Sequence, residues 1–177
     1  MNCLSSTILF CALLLSRDLQ TILTSYVEAV GGREAMQHLE SRTVTGRQVD
    51  DRPYRGLVAV TPLVLSFPDP ELQDRKTNFL LDPQGPLRLE HYFPGLRPAG
   101  TRTVDGRLKY ILESDLDPAY YALQFDVETG LLTGIGYYWT LSDYRLVDGV
   151  LLPFRIHKSR KGGSTVWEID TVEHGTR

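Results

Sequence analysis

The chain has 177 residues, 42% of them hydrophobic and 23% charged, with a formal net charge of −3. That is enough material for one domain with a buried core, and the composition is neither that of a disordered segment nor that of a polytopic membrane protein. The mild acidity gives no electrostatic ground for nucleic acid as a partner. Nine Tyr against six Phe suit sheet surfaces that are apolar on the ring and wet at the hydroxyl, which argues against an all-helical fold.

The first feature in chain order is an apolar run from Ile8 to Leu15. It matches the hydrophobic segment of a secretory leader and falls short of the roughly 20 residues of a transmembrane helix. Residues 1–16 therefore read as a signal-like segment and residues 17–177 as a single domain, exported to the periplasm or cell envelope. No Lys or Arg precedes Ile8, and Leu14-Leu15-Ser16 is a poor cleavage site; the alternative is an N-terminal extension of the first helix. Cys3 and Cys11 both fall here, so no disulfide framework is expected in the domain.

From Asp18 the period changes to that of a helix, with Leu19, Ile22, Leu23, Tyr26, Val27 and Val30 on one stripe and Asp18 as its cap. Gly31-Gly32 ends it, and a short second helix is expected over Arg33 to Leu39. Arg42 to Val49 is a first strand interrupted by Gly46, and Asp50 to Pro53 a turn. Leu57 to Phe67 is either two strands or one bulged edge strand around Thr61-Pro62. Lys76 to Leu81 and Leu87 to Phe93 read as strands, and Pro94 to Gly100 as irregular. Asp105-Gly106 joins Thr101–Val104 to Leu108–Leu112 in a hairpin.

After the acidic loop from Ser114 to Pro118 comes the most legible stretch. Tyr121, Leu123 and Phe125 alternate with polar neighbours, Asp126 to Gly130 forms a turn, and Val147-Asp148-Gly149-Val150 forms a tight hairpin. A last hairpin pairs Val150–Ser159 with Ser164–Val172. The sum is α+β, with eight to ten strands in an antiparallel meander and one or two N-terminal helices.

Catalytic and metal motifs are sparse. There is no Gly-x-Ser-x-Gly elbow, no Cys-x-x-Cys, and no phosphate loop; His38, His91, His157 and His174 are dispersed and read as surface or hairpin residues. Ser114 to Asp117 lacks the rhythm of a calcium loop, and Asp126 and Glu128 fit turn capping better than glycoside hydrolysis. Arg155, His157, Lys158, Arg160 and Lys161 form the basic cluster, read as protection of an edge hairpin, with an anionic head group or membrane surface as the alternative. Ile22 and Tyr26 on the helix, and Tyr121, Leu123, Phe125, Trp139 and Phe154 on inner strands, are candidates for ordinary core or for the wall of an apolar cavity.

Tyr26 to Ala35, with its double glycine, followed by Leu39 to Gly46, resembles the opening of LolA-like, outer-membrane lipoprotein-sorting proteins of bacteria. Phe125 to Leu132 and Asp143 to Phe154 are similar to their paired C-terminal hairpins. The resemblance covers under half the chain and implies an unclosed, strongly curved antiparallel half-barrel, with the N-terminal helices packed on its concave face. In the lipoprotein carriers a hydrophobic cavity shelters acyl chains. Asp50 to Pro118 departs from the pattern, and additional lid elements are expected there. The c-type haem of some related chains is not expected, since its attachment motif is missing, and neither a metal nor another cofactor is expected.

These readings converge on a non-enzymatic exported protein that carries or senses a lipid or other hydrophobic ligand between helix and sheet. A membrane or an envelope protein is its expected partner, and nucleic acid is not. The alternative is a structural or protein-interaction module whose half-barrel is filled by its own side chains. A third reading, a hydrolase, lacks convergent polar groups.

Overall fold

The structure, a computed structural model, describes residues 17–72 and 74–177; the signal-like run of residues 1–16 lies outside them. Nine strands form one antiparallel sheet. In chain order they are β1 (Leu39–Arg52), β2 (Leu57–Phe67), β3 (Arg97–Val104), β4 (Arg107–Glu113), β5 (Leu123–Asp126), β6 (Leu132–Ile135), β7 (Trp139–Val147), β8 (Val150–Arg160) and β9 (Gly163–Thr176). Their spatial order is β2-β1-β9-β8-β7-β6-β5-β4-β3. From β3 to β9 the chain meanders, and β1 then pairs with β9. The edges β2 and β3 do not meet, so the sheet is curved but unclosed, as expected.

α1 (Leu19–Ala29) starts where Asp18 accepts the Thr21 N–H at 2.7 Å and buries Ile22 and Tyr26 against the concave face. Each such side chain contributes about 1.5–3 kcal/mol when it leaves water. Gly31 has φ +118°, and a Cβ there would lie 2.1 Å from the Gly149 carbonyl oxygen. Only glycine lets α1 end this close to the β7–β8 turn, where the Leu151 N–H donates to the Val30 carbonyl at 3.0 Å. α2 (Gly32–Met36) follows, shorter than expected, and Leu39 already belongs to β1.

β1 runs through the expected turn at Asp50. Gly46 does not interrupt it but permits it: a Cβ would meet the Glu168 carbonyl oxygen at 2.1 Å, beside the bulge where Thr45 faces Thr171 and Gly46 faces Ile169. β2 is one continuous edge strand in unbroken register, so the Thr61-Pro62 step makes no bulge; proline is tolerated because an edge needs no N–H on its free side.

Three expectations fail here. Lys76–Leu81 and Leu87–Phe93 are not strands. The first lies in α3 (Arg75–Leu81), capped by Asp74, and the second comprises the end of a 3₁₀ turn (Gly85–Arg88) and α4 (Leu89–Tyr92). Lys76, Thr77, Phe79 and Leu81 are all buried, and a segment covered on several sides carries no helical stripe to read. Secondly, the stretch expected to be irregular up to Gly100 enters β3 at Arg97. Thirdly, Tyr121 ends a short helix, α5 (Pro118–Tyr121), set by Pro118 at its first position and Asp117 as its cap; β5 begins only at Leu123.

The decisive topological fact is the connection from β2 to β3. These strands are opposite edges, so residues 68–96 must cross the whole sheet. They cross its concave side, where Phe79, Leu81, Leu89, Tyr92, Phe93 and Leu96 join the one core with α1 and the strands. Phe79 packs edge-on against Tyr92 and Phe93, ring centres 5.7 and 5.2 Å apart.

Candidate functional site

Under the crossing segment the concave wall is apolar apart from Arg42. Val44 and Leu65, then Leu152 and Ile156, then Trp167, Ile169 and Val172 line it, and Leu80 and Leu81 of α3 press on it. Among the voids between segment and wall are two of about 20 Å³ each, about the space of a single water.

The segment is fastened by side chains. The backbone hydrogen bonds of α3, the 3₁₀ turn and α4 stay within the segment. Arg42 of β1, 3% exposed, donates from Nη1 to the Leu80 carbonyl at 2.8 Å and from Nε to His174 Nε2 at 3.0 Å, while its Nη2 has no partner among the described residues. Burial pushes the Arg42 guanidinium down to about 10, and the Asp82 carboxylate opposes that; it stays charged at neutral pH. Asp82, 1% exposed, accepts the Gln84 N–H at 2.8 Å, the Tyr92 hydroxyl at 3.0 Å and Arg88 Nη1 at 3.2 Å. Gln84 Nε2 donates to the Leu39 carbonyl at 2.9 Å.

His174 is not the surface residue expected. Its side chain is 1% exposed, with Nδ1 2.9 Å from the Asp148 carboxylate. Since Nε2 accepts from Arg42, the proton sits on Nδ1. Burial lowers the imidazole below its ordinary range, with the Asp148 hydrogen bond opposing.

Beyond α3's first turn the wall becomes polar and aromatic. Lys158 of β8 places Nζ 3.0 Å from the Trp167 ring centre and 4.0 Å from that of Trp139. Lys76 of α3 places Nζ 4.7 Å from Trp139 and 5.4 Å from Tyr121. Burial pushes the Lys158 ammonium down to about 7, with the nearby Lys76 acting the same way and Asp74 opposing; burial also lowers Lys76.

The seven candidate residues divide into three places. Ile22, Tyr26, Leu123 and Phe125 meet at the α1–sheet contact, with Tyr26 edge-on to Phe125 at 5.1 Å. Ile22 and Phe125 also line an open depression of about 430 Å³ that reaches to Arg17, Glu28 and the Asp126 turn. Tyr121 and Trp139 gather around Lys76. Phe154 stands apart, buried beneath the Arg145 guanidinium, 4.6 Å from its ring centre. Asp126 caps its own turn as expected. Burial opposes its ionisation, yet the N–H groups of Thr129 and Glu128, the Thr129 hydroxyl and Arg107 hold its carboxyl below the usual range.

The basic cluster is not on an edge, because β8 lies between β7 and β9. Arg155 and Arg47 share Glu168 at 2.8 and 2.5 Å, Arg160 pairs with Asp50 at 2.9 Å, and Lys158 turns inward. Alternation carried that signal: Lys158 follows Leu152, Phe154 and Ile156 at intervals of two. Arg42, Lys76, Asp82 and Trp167 were not legible as site residues, because the segment that brings them together had no strand or helix period. Among the described residues no group of His, Cys, Asp and Glu is arranged to hold a metal, and no helix is long and apolar enough to cross a membrane.

No family model and no curated protein matches the chain. A similar solved structure is the crystal structure of a DUF1329 family protein from Desulfovibrio piger, 11% identical, with a TM-score of 0.49, over 90% of this chain and 94% of that one.

Proposed function

We propose that this chain is a non-enzymatic exported protein that carries or senses a lipid or other apolar molecule, taking it between the concave wall and the crossing segment. The observation that supports this reading is the mode of attachment: a segment joined to the sheet by side chains, Arg42 among them, lies over a largely apolar wall. Lifting α3 withdraws Leu80 and Leu81 and leaves a trough into which acyl chains fit. Transfer of the chain out of water supplies about 0.8 kcal/mol per methylene, and no bond is made or broken. The resemblance to LolA-like carriers in the helix, the double glycine and the C-terminal hairpins favours the same reading. A membrane or an envelope protein is the source or recipient of the cargo.

The voids of about 20 Å³ favour a second reading, a filled module whose role is structural or in protein contacts. Native mass spectrometry after gentle purification separates the two. A co-purifying apolar molecule, displaced when detergent is added, supports the carrier. A bare mass, with α3 amides that exchange no faster when lipid is added, supports the filled module.

A further inference from the structure

Resting on the carrier reading, we propose that Lys76 and Lys158, framed by Trp139, Trp167 and Tyr121, form a head-group site for an anionic amphiphile such as a fatty acid carboxylate. Lys76 is 7% exposed, and its polar contact is a long 3.5 Å approach to the Tyr120 carbonyl. Among the described residues, no carboxylate lies within ion-pairing distance of either ammonium. The carboxylate that both lysines feel, Asp74, is committed to the Thr77 N–H and hydroxyl as the cap of α3.

Both lysines thus face one tryptophan, Trp139, with no ion pair of their own and only the more distant Asp74 charge to offset them. An aromatic face returns less to a cation than taking an ammonium out of water costs. An anionic group between them removes that deficit.

Position decides that the anion carries a chain. Trp167, against Lys158, also lines the void beneath Leu80 and Leu81. Ile156, on the same wall, lies two residues before Lys158 on one strand face. The charged end and the apolar trough are therefore one continuous surface: head at the lysines, chain along Trp167, Ile156 and Ile169. A neutral lipid leaves the lysines unpaired, and a small anion leaves the trough unused.

Both tryptophans of the chain flank this place, so intrinsic emission reports on it directly. Laurate, 1-dodecanol and acetate are titrated into the full chain, and into Lys76→Met and Lys158→Met, which keep length and apolarity. Laurate is expected to shift the emission and to bind about tenfold more tightly than dodecanol, each methionine variant losing about tenfold for laurate and nothing for dodecanol. In the unaltered protein, laurate affinity falls as salt is raised, which tests the charge contact even if a variant does not fold. Equal affinity for laurate and dodecanol, unchanged laurate affinity in both folded variants, or no salt dependence overturns the head-group site and leaves the carrier reading standing. A response to acetate equal to that of laurate assigns a free-anion site and overturns the amphiphile. Binding of neither laurate nor dodecanol overturns the carrier reading and this inference with it.

Discussion

Asp82→Asn tests how the crossing segment is held. The carboxylate accepts from the Tyr92 hydroxyl and Arg88 through one oxygen and from the Gln84 N–H through the other, and it offsets the buried charge of Arg42. An amide of the same shape turns its NH₂ toward one of these donor sets, so at least one bond is lost whichever way it flips. Arg42, which makes no ion pair with Asp82, loses the nearby charge that opposes its burial. Breaking a buried pair from one side costs about 3–5 kcal/mol; here the ion pair is with Arg88, 49% exposed, and Asp82 also loses its buried Tyr92 hydroxyl bond, so the lower end, about 3 kcal/mol, is expected. For a domain of this size that lowers Tm by roughly 6–12 °C. Urea unfolding followed by circular dichroism gives the stability, and hydrogen exchange shows whether residues 75–92 open first. Adding Arg42→Met should recover part of the loss, since the orphaned charge is then gone. A loss below about 1 kcal/mol with unchanged exchange over α3 and α4 would refute the account of Arg42 and Asp82 as the fastening.

Gly46→Ala drives a methyl into the Glu168 carbonyl and should cost about 3 kcal/mol in urea unfolding, the upper end for overpacking; a neutral result would mean that β1 and β9 part easily. Phe125→Ala empties a core site that is 1% exposed and should cost about 3–5 kcal/mol, measured the same way. For Lys158, the folded pKa of about 7 lies below the ordinary 10.5, so the unfolded chain holds the proton to higher pH. Stability is therefore greatest above the unfolded value and falls as pH drops toward 7. Between about pH 9 and pH 7 the loss should be on the order of 2 kcal/mol, shared in direction by Lys76. Lys158→Met should flatten this dependence in pH-resolved denaturant melts, and an unchanged slope would place the lysine in water.

The parts of the fold that could be read early are those whose signal is local. Asp18 before an apolar stripe, Asp105-Gly106, Asp148-Gly149 and the Asp126 turn each carry their own geometry in two to five residues. Residues 75–92 carry none, because they are shaped by what they lie on: Thr77, Phe79 and Leu81 alternate like a strand yet turn as a helix, and all three are buried. Tyr121 failed for a related reason, since Pro118 and the Asp117 cap bent the chain before its alternation could count. For the site, the helical stripe singled out Ile22 and the inner strands Phe125 and Trp139, but such apolar patterns are blind to polar residues that face inward. Arg42, Lys76 and Asp82 are partners only once the edge-to-edge connection exists, and no spacing along the sequence encodes that.

The pairing of β1 with β9 joins residues more than a hundred positions apart. Such contacts repay their loop-closure entropy last, so the sheet should form slowly, with a transition state that needs β1 and β9 together. During synthesis the amino-terminal hairpin waits with one flank unsatisfied until the carboxyl-terminal strand emerges. Shielding by a chaperone in that interval would matter more here than for a protein assembled from neighbouring pieces.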